Sequence, residues 1–271
     1  MPELDVPGAT LYYETEGRVT DPAVLLIHAG LASLRMWDPL APELAVDHYV
    51  IRFDTRGYGS TVSTDAEYSN RADAIALLDH LGVARATVIG CSRGGSIGID
   101  LALEYPDRIA GLVTIGSGPG GFPEQPLTER EEQLFAAMDQ AWEAGDLARV
   151  YDLEVEAWAF GPTRSADDLS PTFVRTAYDL NRGNLVRVAE RPQPIPLDPP
   201  AYERVRALDL PALVLVGDRD LSAAITQYDY LVEAIPGADG CRFVEAGHLP
   251  SVEHPAEFEA VLRSWLADKQ L

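Results

Sequence analysis

Short apolar runs that end in polar or glycine-rich residues recur along the chain. They occur in "AVLLIHAG", "YVIRFDTRG", "ATVIGCS", "IAGLVTIGS", "ALVLVGDRD" and "CRFVEAGH". Such runs are typical of parallel strands that are buried on both faces of a sheet. "ATLYYETEG" alternates apolar and polar positions instead, which favours an edge strand. The pattern therefore predicts a central, mostly parallel sheet.

Helical patterns separate the predicted strands. "NRADAIALLDHLG" has apolar residues at helical spacing, with Asn70 as its predicted N-cap and Gly82 as its C-terminal stop. "PAEFEAVLRSWLADK" is a second amphipathic helix with proline in its first turn. This alternation predicts an α/β fold with helices on both faces of the sheet. Ligands of such sheets bind at the carboxyl ends of the strands.

Residues 120–203 break the alternation, since they contain three helical segments and no clear strand. We therefore predict a helical insertion at 120–203 within an α/β core formed by residues 1–119 and 204–271. The insertion is rich in bulky apolar side chains, and some of them are expected to line an apolar pocket. These residues are Phe135, Met138, Trp142, Trp158, Phe160, Phe173 and Tyr178.

The charge of the chain narrows the set of partners. Forty-three acidic residues against 21 basic residues give a formal net charge of −22, which repels nucleic acid and anionic membrane surfaces. No apolar run of transmembrane length and no signal-peptide pattern occurs, so we expect a soluble, cytoplasmic protein. Cys91 and Cys241 lack the spacing of a metal site and are expected to be reduced core residues. The oligomeric state stays open, a homo-oligomer included.

A serine follows the strand "ATVIGC". Gly90-Cys91-Ser92-Arg93-Gly94 matches G-x-S-x-G, the pattern of a sharp strand-to-helix turn that exposes a nucleophilic serine. The flanking glycines leave room for the close approach of neighbouring backbone. The alternative is a serine in an ordinary turn that caps the helix. A serine nucleophile also requires a base within hydrogen-bonding distance.

Two other strand ends offer the partners of such a serine. His248 lies in "VEAGHLP", directly after the last predicted strand, and Asp218 and Asp220 follow "ALVLVG". The order serine, aspartate, histidine is that of enzymes with this nucleophile turn. The residues by themselves leave the choice between the two aspartates open.

Together with "LLIHAG", "FDTRGYGST" and "GHLPSVEHPAEF", these motifs resemble the α/β-hydrolase superfamily. The sequence is similar to lid-bearing serine hydrolases, including enol-lactonases, cofactor-free haloperoxidases and small-ester hydrolases. The resemblance implies a catalytic triad of Ser92, Asp220 and His248, and it favours Asp220 over Asp218. It also implies that the helical insertion is a lid.

The resemblance implies an oxyanion hole as well. Its donors would be the backbone N–H groups of Arg93 and Gly30, with Leu31 as the alternative to Gly30. His28 would brace the loop that carries Gly30. Two alternatives stay open for the Arg93 side chain: it contacts the substrate, or it forms an ion pair with one of the many carboxylates.

The expected reaction is hydrolysis of a small carboxylic ester or lactone through an acyl-enzyme, without a metal or organic cofactor. An apolar or aromatic small molecule is the expected substrate. Carbon–carbon bond hydrolysis, cofactor-free halogenation and a slow-turnover ligand receptor remain alternatives within the same fold. Asp54 and Arg56 of "FDTRGYGST" are expected to have structural roles.

Overall fold

The computed structural model describes residues 2–271, and nine of the strands in this range form the main sheet. The strands are β1 Glu3–Val6, β2 Ala9–Glu16, β3 Ala23–Ile27, β4 Tyr49–Phe53, β5 Val62–Ser63, β6 Glu67–Tyr68, β7 Ala86–Cys91, β8 Ile109–Ile115, β9 Gln193–Pro194, β10 Ala212–Gly217 and β11 Asp239–Phe243. The α-helices are α1 Ala41–Leu44, α2 Asn70–His80, α3 Arg93–Glu104, α4 Glu129–Glu143, α5 Leu147–Glu154, α6 Pro171–Arg182, α7 Ala201–Arg204, α8 Ser222–Ala234, α9 Pro250–Glu253 and α10 Pro255–Lys269.

The main sheet has the order β1-β2-β4-β3-β7-β8-β10-β11, with β5 paired to β2. The strands from β4 to β11 in this order are parallel, whereas β1, β2 and β5 pair antiparallel. Side chains of β3 and β7 are buried on both faces, which explains their continuous apolar sequences. The predicted mostly parallel α/β sheet is therefore confirmed.

The prediction that "ATLYYETEG" is an edge strand is wrong. Strand β2 pairs with both β1 and β4, so the edge is the short β1. The polar positions of β2 instead form ion pairs, because Arg52 on β4 donates hydrogen bonds to Glu14 at 2.7 Å and Glu16 at 3.0 Å. The alternation in β2 thus reflects charged partners on a neighbouring strand.

Helix α2 begins and ends close to the predicted positions, but its N-cap is Ser69 and not Asn70. The Ser69 hydroxyl accepts a hydrogen bond from the Ala72 N–H at 3.2 Å, and Asn70 is the first helical residue. Gly82 follows the C-cap and has a φ of +68°, in the left-handed region. Helix α10 covers the predicted "PAEFEAVLRSWLADK".

The three helical segments predicted within 120–203 are α4, α5 and α6, and a π-helix, Val155–Ala159, continues α5. Against expectation, the same range contains β9, which pairs with β6 of the core. The division of the chain at 120 and 203 stays a prediction. Among the described residues, no helix is long and apolar enough to cross a membrane.

Candidate active site

Ser92 lies between β7 and α3 in a strained backbone conformation, with φ 54° and ψ −119°. A Cβ atom on Gly90 would lie 2.3 Å from the Gly94 carbonyl oxygen, and one on Gly94 would lie 2.2 Å from that of Ile27. Only glycine fits these two positions, as the G-x-S-x-G pattern requires. The Ser92 hydroxyl makes no capping hydrogen bond to α3, so the structure does not give it the alternative role of a helix cap.

His248 forms a buried pair with Asp220. Its Nδ1 lies 2.7 Å from Asp220 Oδ2, and each residue is only 4% exposed. Asp220 Oδ1 also accepts a hydrogen bond from the Leu221 N–H at 2.7 Å. Asp218 lies elsewhere, in an ion pair with Arg242 at 2.6 Å. Of the two aspartates, the structure therefore brings Asp220 to the histidine.

The serine and the histidine open into one cleft of about 330 Å³. His248 Nε2 is buried, and it has no hydrogen-bond partner among residues 2–271. Because Nδ1 is occupied by Asp220, Nε2 is the ring atom available to a hydroxyl or a ligand in the cleft. This arrangement is that of a histidine base held by a carboxylate beside a serine.

Gly116, at the end of β8, is a feature of the site that the sequence reasoning missed. It has a φ of +55°, and a Cβ atom there would lie 2.9 Å from both Asp220 Oδ2 and His248 Nδ1. Any larger residue would disturb the histidine–aspartate pair. The available signal was a glycine that ends the strand in "LVTIGS", the position at which other strands of this sheet carry site residues.

Cys91 lies beneath the serine turn, fully buried, and its thiol donates a hydrogen bond to the His248 carbonyl oxygen at 3.5 Å. Burial raises the pKa of this thiol, so it remains protonated and unreactive. Both cysteines are free, and Cys241 on β11 is partly buried and packs against the main core cluster. The neighbour of Ser92 is thus a packing residue.

The predicted oxyanion-hole residues lie at the ends of β3 and β7. The backbone N–H groups of Gly30, Leu31 and Arg93 have no hydrogen-bond partner among residues 2–271. Gly30 lines the same pocket as Arg93, whereas the Leu31 side chain is buried in the core. This pocket does not include Ser92, so the choice of Gly30 over Leu31 as the second donor stays a prediction.

His28 is fully buried below this loop, and both of its ring nitrogens are occupied. Nε2 accepts a hydrogen bond from the Thr55 N–H at 3.0 Å, which leaves Nδ1 to donate to the Ala29 carbonyl oxygen at 2.8 Å. Burial lowers the pKa of His28 to about 3. The ring is therefore neutral and braces the loop, as expected.

The buried neutral His28 predicts a specific loss of stability in acid. Below its ordinary pKa of 6.5 the unfolded chain binds a proton that the folded chain does not, so falling pH favours unfolding. Between pH 7 and pH 5 this single group should remove about 2 kcal/mol from the free energy of unfolding. Urea unfolding at both pH values should show a smaller loss for His28→Gln than for the wild type. Equal losses in the two proteins would contradict the prediction.

The "FDTRGYGST" segment holds its own backbone and its neighbours in place. Asp54 accepts hydrogen bonds from the N–H groups of Leu34 at 2.7 Å and Ser60 at 2.8 Å. Arg56 forms a buried bidentate pair with Asp73 at 2.7 and 2.8 Å. Asp54 and Arg56 have the structural roles that the sequence predicted.

The helical insertion contacts the loop that carries the histidine. The His248 N–H donates a hydrogen bond to the Trp158 carbonyl oxygen at 3.2 Å. A Cβ atom on Gly247 would lie only 2.4 Å from the Ala159 carbonyl oxygen, so the two segments are in close contact. Arg164 forms an ion pair with Glu253 at 2.6 Å, and Glu253 in turn accepts a hydrogen bond from the Gly247 N–H at 2.9 Å. The end of the π-helix is therefore attached to the histidine loop.

The bulky residues of the insertion have three different environments. Phe160, Phe173, Tyr178 and Trp158 pack against the main core cluster, and Phe135, Met138 and Trp158 belong to a small cluster between α4 and α5. Trp142 is 55% exposed and lines the pocket that contains Gly30 and Arg93. Most of these side chains thus pack within the protein, and Trp142 faces a pocket of the candidate site.

Comparison with known proteins places the chain in a family. Residues 22–255 match the family model described as alpha/beta hydrolase fold. The chain is 26% identical over 268 residues to 3-oxoadipate enol-lactonase 2 of Acinetobacter baylyi, with 96% of each chain covered. It is 27% identical over 265 residues to 2-hydroxymuconate semialdehyde hydrolase of Pseudomonas sp. strain CF600, covering 90% of this chain and 87% of that one.

A solved structure has the same fold over nearly its whole length. The enol-lactonase from Burkholderia xenovorans LB400 is similar with a TM-score of 0.76 and 25% sequence identity, and the match covers 98% of this chain and 100% of that chain. The similarity thus extends over nearly the whole chain. Because the family model spans most of the chain, this protein belongs to the α/β-hydrolase fold family.

Proposed function

We propose that this protein is a serine hydrolase that cleaves small carboxylic esters or lactones through an acyl-enzyme. The observation that carries the proposal is the shared cleft, into which Ser92 opens from a strained turn beside the buried His248–Asp220 pair. The similarity to enol-lactonases supports the same reaction class.

In the first step, His248 Nε2 takes the proton of the Ser92 hydroxyl while the oxygen attacks the acyl carbon. Asp220 accepts the Nδ1–H of His248 at 2.7 Å, which fixes the tautomer that leaves Nε2 unprotonated and stabilises the imidazolium that forms. The Leu221 N–H on the second carboxylate oxygen holds Asp220 in this orientation. The base is therefore positioned before the substrate arrives.

Negative charge develops on the carbonyl oxygen of the substrate during the attack. The free N–H groups of Gly30 and Arg93 are the donors that would bind this oxygen, and the N-terminus of α3 adds a favourable dipole. His248 then gives its proton to the leaving alkoxide. Water, activated by the same histidine, releases the acid and restores Ser92.

The cleft favours small groups. Its volume is about 330 Å³, at the lower end of the range for small-molecule sites. Its lining is mixed, with the apolar Pro119, Phe122, Leu221 and Ala224 beside the polar Ser96, Ser117 and Gln227. A short acyl or alcohol group fits this space better than a long chain. The insertion has the role of a lid in this proposal, since Trp142 faces the neighbouring pocket.

A substrate panel tests the proposed reaction. We expect p-nitrophenyl acetate to be hydrolysed with a kcat/KM at least tenfold above that of p-nitrophenyl decanoate, because the cleft of about 330 Å³ excludes the longer chain. A γ-lactone and a vinylogous diketone extend the panel to lactone and carbon–carbon bond cleavage.

Labelling with a fluorophosphonate distinguishes a slow receptor from an enzyme. A receptor would react at Ser92 but show no turnover of any ester. Turnover of the diketone alone would assign the protein to carbon–carbon bond hydrolysis and overturn the proposal. Turnover of the short ester in the wild type, together with loss of both labelling and turnover in Ser92→Ala, is the expected result.

A further inference from the structure

A second pocket, of about 410 Å³, adjoins the loop that carries Gly30. The core contributes Gly30, Tyr58, Tyr68 and Arg93 to its lining, and the insertion contributes Trp142 and Tyr151. Among the described residues, Arg93 is the one that lines both this pocket and the cleft of Ser92. Its surroundings therefore bear on what a ligand of Ser92 can contact.

The Arg93 guanidinium is held by neutral groups. Its hydrogen bonds go to Thr55 Oγ1 at 2.5 Å, Tyr68 Oη at 3.0 Å and Asn70 Oδ1 at 3.0 Å. Its central carbon also lies 5.0 Å from the centre of the Tyr58 ring. A guanidinium has more N–H donors than these three bonds use, so donors remain for a ligand.

The absence of an acidic partner distinguishes Arg93 from its neighbours in the pocket. Arg56 is paired with Asp73 at 2.7 Å, and Arg187 is paired with Glu190 at 2.9 Å. No ion pair joins Arg93 to a carboxylate among residues 2–271, although the chain carries 43 acidic residues against 21 basic ones. A half-buried cation without a counter-ion is unfavourable unless a ligand supplies one.

The carboxylates around the pocket are engaged by other groups: Asp73, whose charge interacts with that of Arg93, is paired with Arg56. Glu154 also lines the pocket, but it accepts a hydrogen bond from Asn181 at 2.8 Å, and burial raises the pKa of its carboxyl group. Arg191, at the exposed rim, has no ion pair within the described part of the chain. The acidic surface of the protein acts at long range, where salt screens it beyond about 8 Å, whereas Arg93 would act in direct contact.

We propose that Arg93 binds a carboxylate of the substrate, so that the preferred substrate is a small ester or lactone that also carries a carboxylate group. The inference rests on the proposed hydrolase function. Arg93 directly follows Ser92, so a molecule whose carbonyl carbon lies at Ser92 places a carboxylate a few bonds away at the guanidinium. The fixed, planar donors of arginine suit a carboxylate better than a diffuse positive field would.

Two esters that differ only in charge test this subsite. Monomethyl glutarate carries a carboxylate, and methyl 5-amino-5-oxopentanoate carries an amide in its place. At pH 7.5 and 0.15 M salt, wild-type kcat/KM, measured by acid release, should be at least tenfold higher for the carboxylate ester. In Arg93→Met this ratio should fall at least tenfold, and Arg93→Lys should retain part of it because the charge remains. Arg206→Met removes an exposed arginine from another surface and should keep the wild-type ratio.

Inhibition of the wild type provides a test that needs no variant. Glutarate should inhibit hydrolysis of p-nitrophenyl acetate competitively at concentrations at least tenfold below those of glutaramide. A wild-type ratio below one, a ratio unchanged in Arg93→Met, or equal inhibition by the two compounds would overturn the subsite. If neither methyl ester nor p-nitrophenyl acetate is hydrolysed, the proposed hydrolase function fails instead.

Discussion

Ser92→Ala is expected to lower the turnover of p-nitrophenyl acetate by about 10⁴-fold to 10⁶-fold. The variant removes the nucleophilic oxygen and leaves only the contribution of the oxyanion donors and of substrate binding. Its melting temperature should hardly change, because alanine retains the Cβ at the φ of 54° and the Ser92 hydroxyl makes no capping hydrogen bond. Steady-state kinetics and a thermal melt of the purified variant measure both effects.

Ser96 supplies a matched control for this experiment. It lines the same cleft, but it lies within α3, and its hydroxyl donates a hydrogen bond to the Gly118 carbonyl oxygen at 2.7 Å. Ser96→Ala should lose less than about tenfold in turnover, the effect of a local hydrogen bond of about 1 kcal/mol. Full activity of Ser92→Ala with a normal melting curve would remove Ser92 from the mechanism.

Asp220→Asn is expected to lower turnover by about 10⁴-fold while the protein remains folded. An asparagine amide in place of the carboxylate can donate to His248 Nδ1, which favours the tautomer with the proton on Nε2. Nε2 then cannot accept the proton of Ser92. Measured kcat on p-nitrophenyl acetate, together with a far-ultraviolet circular dichroism spectrum, separates this loss from misfolding.

Asp218→Asn is the corresponding control, two residues away. Its ion pair with Arg242 is partly exposed, since the Arg242 side chain is 39% accessible and the Asp218 side chain 29%. Removal of the pair should therefore cost at most about 1 kcal/mol of stability. Turnover should stay close to that of the wild type. An inactive Asp218→Asn beside an active Asp220→Asn would transfer the acid role to Asp218.

The parts of the site that the sequence predicted are those in which a strand end identifies the residue. Ser92 and Asp220 follow buried apolar runs, and parallel strands bring such ends to one edge of a sheet. His248 follows β11, which is an edge strand and is mostly exposed, in contrast to the buried strand that its sequence predicted. The choice between Asp218 and Asp220 depended on the family resemblance, because both residues follow the same strand. The hydrogen bond between His248 and Asp220 shows which of the two aspartates faces the histidine, which the local sequence pattern does not.

The features that the sequence did not predict depend on neighbours that are distant along the chain. The Arg93 side chain is held by Thr55, Tyr68 and Asn70, and no local pattern indicates that all its partners are neutral. The role of Gly116 beside the histidine is of the same kind. At α2, Ser69 and Asn70 are adjacent residues of the capping type, so the composition alone does not choose between them.

The attachment of the π-helix to the histidine loop limits how this protein can be recombined with its relatives. A chimera that received a foreign insertion would lose the Arg164–Glu253 pair, and its backbone would have to place another carbonyl at the position of that of Trp158 to accept the His248 N–H. The histidine loop would then be held less firmly even though Ser92, Asp220 and His248 were still encoded. Successful grafts should therefore retain residues 155–164 from the recipient and exchange only the segments on either side.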